Sequence, residues 1–82
     1  MKIYGYKDEG LPIEKIQPSE LAEITLVATS AELREIALFL EEAASNMEKR
    51  GAGYDHEHLS DEKPGFEDSP HFVVANGNIE SR

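Results

Sequence analysis

The sequence predicts an α+β domain: a small, mainly antiparallel sheet of three to four strands with one long amphipathic helix packed on one face. Three observations carry that prediction. Residues 30–50 place Leu33, Ile36, Ala37, Leu40, Ala44 and Met47 at the i, i+3, i+4, i+7 spacing of one helical stripe. Residues 20–28 alternate as a half-buried strand does, with Ile24, Leu26 and Ala28 on one face and Glu23, Thr25 and Val27 on the other. Only Thr29 and Ser30 connect the two, so the helix is expected to fold back across the sheet almost at once.

The remaining elements follow in chain order. Residues 2–6, Lys-Ile-Tyr-Gly-Tyr, alternate and are rich in β formers, and Asp8-Glu9-Gly10 supplies turn chemistry. Residues 11–16 are a candidate return strand, kept from a central position by Pro12, whose nitrogen cannot donate to a ladder. The helix is marked at both ends. Thr29 with Glu32 three residues on has the form of a capping box, and Lys49-Arg50-Gly51 puts positive charge and then a permissive glycine at the stop. Residues 54–70 show no strong period and are expected to form a long irregular connection. Residues 72–75 form the last strand, Asn76-Gly77 turns the chain, and residues 79–82 are a frayed tail or a further short pairing.

Composition bounds the rest. At 82 residues the chain is expected to hold a single domain, residues 1–82, and domains near this size bury only about 60–65% of the surface their unfolded chains expose. Seventeen acidic residues against eight basic ones give a net charge of −9, which argues against direct binding to nucleic acid, whose phosphates it would repel, and favours a basic partner. The absence of cysteine removes disulfide and thiol chemistry and fits a reducing compartment. No stretch approaches the roughly 18 apolar residues of a membrane span, so the expectation is a soluble, cytoplasmic chain without membrane contact.

Candidate functional residues concentrate after the helix. Asp55, Glu57, Asp61, Glu62, Glu67 and Asp68 are opposed only by Lys63, either as a solvated loop or as a surface that steers a cationic protein. In an extended segment His56 and His58 project to the same side, and with Asp61, or with His71 completing the set, they are the candidate ligands for a divalent metal. The spacing lacks the form of a recognised metal site, so a structural role for the imidazoles is the expectation and no cofactor is assigned. No catalytic motif is present: Ser30, Ser45, Ser60 and Ser69 lack a nucleophile-elbow context, and Gly51-Ala52-Gly53 follows a helix, at its negative end, instead of opening one. Projection at 100° per residue puts Leu38 roughly 150° from the centre of the apolar stripe, outside, and Phe39 at the stripe's edge. Apolar residues on the outer sheet face, Val27, Val73 and Ala75, leave room for a homodimer through those faces or the sheet edges.

The run of residues 23–40, followed by Ala43, Ala44 and Met47, then His56-Glu57-His58-Leu59-Ser60-Asp61 and a closing Phe72-Val73-Val74-Ala75-Asn76, resembles a small family of bacterial immunity proteins, immunity protein family thirty-two of the polymorphic toxin systems. The resemblance implies an α+β fold, no enzymatic activity, and protection by binding a cognate toxin encoded alongside. The expected partner contacts are Asp55, Glu57, Asp61 and Glu62, with Tyr54 as an aromatic anchor and Leu38 or Phe39 as a second site. Two alternatives stand beside this reading: a metal-binding accessory domain using His56, His58 and Asp61, and a structural homodimer.

Overall fold

The computed structural model describes residues 1–7 and 21–79. Helix α1 (Ser30–Arg50) dominates them. The Thr29 hydroxyl accepts the Glu32 N–H at 3.1 Å while the Glu32 carboxylate accepts the Thr29 N–H at 2.8 Å, so the predicted capping box forms in full. The helix stops at Gly51, whose φ of +52° suits a residue without Cβ and whose N–H donates to the Met47 carbonyl.

Among the described residues four strands accompany α1, all antiparallel, and the α+β class stands. They are divided differently from a single sheet. Strand β1 (Lys2–Lys7) pairs with β2 (Leu21–Val27), setting Ile3 opposite Leu26 and Tyr4 opposite Thr25, with a bulge between Tyr6 and Lys7. Strand β3 (His56–His58) pairs with β4 (Val73–Ala75), setting His56 opposite Ala75 and His58 opposite Val73. Among the described residues the result is two separate two-stranded ribbons. Between the two ribbons in the chain lies α1, whose 21 residues span about 31 Å. The return strand expected over residues 11–16, and all of the tail after Ile79, lie outside the described residues.

Strands β3 and β4 close the core. A 3₁₀ turn (Gly51–Gly53) leads from α1 towards β3, and β3 itself, the short helix α2 (Leu59–Glu62) and an ordered turn occupy what the sequence marks only as an irregular connection. Alternation turns Glu57, Phe72 and Val74 inward and His56, His58, Val73 and Ala75 outward. Ile36 and Phe39 of α1, Leu59 of α2 and Phe66 form the buried cluster, with Met1, Phe72 and Val74 packed against it. The Phe39 and Phe72 rings meet edge to face at 6.3 Å, a geometry worth about 0.5–1.5 kcal/mol beyond burial.

The buried side of α1 therefore faces α2, Phe66 and the inward residues of the second ribbon. Its buried residues are Ile36, Phe39 and Ala43. That row lies about 80° around the helix from the centre of the predicted stripe. Phe39, expected at an edge and as a partner contact, is at the centre of the core and only 1% exposed. What seats it there is its aromatic neighbourhood: the ring packs edge to face on Phe72 and joins Leu59 and Phe66 in one cluster.

Candidate functional site

The acidic segment after α1 is held by two side chains that look ordinary in the sequence. Asn76, 1% exposed, donates from its amide to the carbonyls of Tyr54 at 2.9 Å and Gly51 at 3.2 Å. Its side-chain oxygen accepts the Asn78 N–H at 2.9 Å, and its own N–H donates to the Asp55 carbonyl at 3.0 Å. One residue thus joins the helix end, the start of β3 and the turn after β4. Sequence reasoning assigns it only a turn; the readable signal was an amide closing a strand just before a glycine. Asn46 on α1 is the second fastening, donating to the Glu57 carboxylate at 3.3 Å.

Tyr54 is completely buried, which corrects its assignment as an aromatic anchor for a partner. Its ring lies 5.5 Å from the Arg50 guanidinium carbon, which covers it from outside. Its hydroxyl has no hydrogen-bond partner among the described residues. Burial first, and then the neighbouring Glu57 carboxylate, push its pKa up to about 12; Glu57 acts through proximity, since the pair does not meet the geometry of a hydrogen bond. Phe66, the other aromatic of this segment, is likewise inside, and with Leu59 it draws the acidic turn onto the helix.

What remains outside is an acidic edge. Asp55 is exposed and in contact with the His56 ring, and Asp61, Glu62, Glu67 and Asp68 are exposed beyond it. Glu57 is half-buried and engaged with Asn46, so it is partly withdrawn from the expected contact set. Lys63, directly after α2, donates to both oxygens of Glu42 at 3.0 and 3.1 Å. That bond sets the end of α2 one helical turn from Leu38, which is 48% exposed as its helical projection requires. Beside them a shallow, open depression is lined by Glu41, Glu42, Ser45, Asn46 and Lys49.

The imidazoles form a row on the outward face of the second ribbon. The rings of His56 and His58 are 5.1 Å apart and those of His58 and His71 are 5.9 Å apart, each pair edge to face. Among the described residues no group of three or more His, Asp or Glu side chains, His56–His58–Asp61 and His56–His58–His71 included, is placed to hold a metal ion. Nor is any helix among them long and apolar enough to cross a membrane.

The site is thus a thin core faced by exposed carboxylates, with Leu38 exposed at their margin. No curated protein matches the chain, and no solved structure does. One family does. Its model, described as Immunity protein 32, matches residues 23–77, from within β2 to the start of the turn after β4, which is more than half of the sequence; the chain belongs to the Immunity protein 32 family.

Proposed function

We propose that this chain is a cytoplasmic antidote that neutralises a cognate bacterial toxin by binding it, with no enzymatic step of its own. Membership of an immunity protein family is the observation that carries the reading. Charge gives it a mechanism. A net charge of −9 speeds the approach of a basic protein, and the carboxylates of Asp55, Asp61 and Glu62 stand exposed where such a protein can cover them. Leu38, one turn from the Glu42–Lys63 pair, supplies an apolar contact at the margin of that edge.

The test begins with the neighbouring reading frame, co-expressed with this chain and recovered by pull-down. The expected outcome is a stable complex and the death of cells that carry the neighbour alone. Reversing the edge with Asp55→Lys, Asp61→Lys and Glu62→Lys together is expected to slow association by about tenfold or more at low salt, and much less at high salt. Survival of cells that express the neighbour without this chain sinks the antidote reading.

A further inference from the structure

The apolar arc of α1 is wider than the face it packs. Leu33, Ala37, Leu40, Ala44 and Met47 follow one another at spacings of four, three, four and three residues, the spacing of a coiled-coil seam. This row lies beside the buried one and is largely uncovered: Leu33 is 46% and Leu40 44% exposed, Ala37 and Ala44 are exposed, and Met47 is half-buried. Large and small residues alternate along it, and Arg34 and Glu41 stand one heptad apart on its outer flank.

We propose that this seam is where a second copy of the chain docks, helix against helix and antiparallel, about a two-fold axis passing close to Leu38 and Phe39. Two features favour a copy of the chain over other occupants. The first is size. In that register Leu33 of one copy sits over Ala44 of the other and Leu40 over Ala37, so each leucine meets the gap left by an alanine, and the two-fold repeats both contacts. The second is charge. The same register brings Arg34 of each copy opposite Glu41 of the other, giving two complementary pairs along the rim.

The area decides the strength. A pair of helices each about 31 Å long, with no other contact, buries less than the roughly 1,200 Å² of a standard interface, and each protomer carries a net charge of −9. The dimer is therefore concentration-dependent, with dissociation on the order of micromolar to hundreds of micromolar. The pairing leaves the acidic edge out of the seam and does not depend on what that edge binds.

Sedimentation equilibrium on the full chain is the test. The mass is expected to rise from 9.1 kDa towards twice that value as concentration increases. Leu40→Glu is expected to hold the chain at the monomer mass with an unchanged circular dichroism spectrum, because Leu40 lies outside the core. Arg34→Glu is expected to weaken association about tenfold, by turning two attractive pairs into repulsive ones, and Arg34→Glu with Glu41→Arg is expected to restore it. A wild-type chain that stays at the monomer mass up to millimolar concentration overturns the proposal and leaves the seam to another protein. A dimer that is indifferent to Leu40→Glu, or a charge swap that fails to restore association, overturns it equally by placing the contact elsewhere.

Discussion

The two ribbons are built alike and held differently. The first has strands of six and seven residues, the second of three and three. Ladder length would make the first the sturdier, yet burial runs the other way. On the first ribbon Ile3 and Leu26 are half-buried, while Tyr4, Leu21, Ile24 and Val27 remain exposed, so its far part has little packed against it among the described residues. The short ribbon has Phe72 and Val74 against the core, Glu57 bonded to α1 and Asn76 fastened to three segments. A two-stranded ribbon alone in water is marginal, and what stabilises one is the layer beneath it. Register and alternation say which side chains share a face. They do not say that the face is covered.

The sharpest way to break this contrast is Phe39→Ala. Truncating the ring at the centre of the core is expected to cost about 3–5 kcal/mol, against a total of about 4–12 kcal/mol for a chain of this length, so thermal or denaturant unfolding should show a chain close to its limit. A loss below about 1 kcal/mol would mean that the second ribbon is not the stabilising half.

Tyr54 sharpens the comparison by pH. Its pKa is raised from 10.0 to about 12, so the fold favours the neutral phenol. Its contribution is whole below the unfolded value near 10 and is lost as pH rises through about 12. Alkaline unfolding midpoints are expected to move upward in Tyr54→Phe, while stability at neutral pH changes by less than about 1 kcal/mol, since the hydroxyl removed has no partner to lose. An alkaline transition identical in both proteins would put the sensitivity elsewhere.

The smallest effect belongs to the first ribbon. Ile24→Ala, at a position 57% exposed, is expected to change stability by less than about 1 kcal/mol. A cost comparable to that of Phe39→Ala in the same unfolding measurement would show that this ribbon is covered in solution after all.

Local chemistry was legible in the sequence, and neighbourhood was not. Thr29 and Glu32 announced the helix start, Gly51 its stop, and the alternation from Leu21 to Val27 its strand, because each depends on residues within a turn of one another. The packed side of α1 was not readable. Its apolar residues run from Phe39 round to Ala37 over roughly 160°, and no single neighbour covers so wide an arc, so the pattern cannot choose which part is taken. The segment after α1 hid its order for another reason: a three-residue strand and a four-residue helix are too short to show a period. For the contact residues, exposure of Asp55, Asp61, Glu62 and Leu38 followed from charge and helical projection, whereas Tyr54 and Phe39 have the composition of an anchor and the position of a core.

Glu32 ties the weaker ribbon to the rest. One of its oxygens caps the helix through the Thr29 N–H; the other accepts the Met1 ammonium at 2.9 Å, which also donates to the Ser69 hydroxyl at 3.1 Å. The Thr29 backbone N–H, foremost, and the Met1 ammonium hold this carboxyl below the ordinary glutamate value. Its support is complete above that ordinary value and fades as acidity carries the protein down through the lowered one. A single proton landing there weakens the cap of the rod and the tether of the leading strand together, so in acid the two joints are expected to loosen in step.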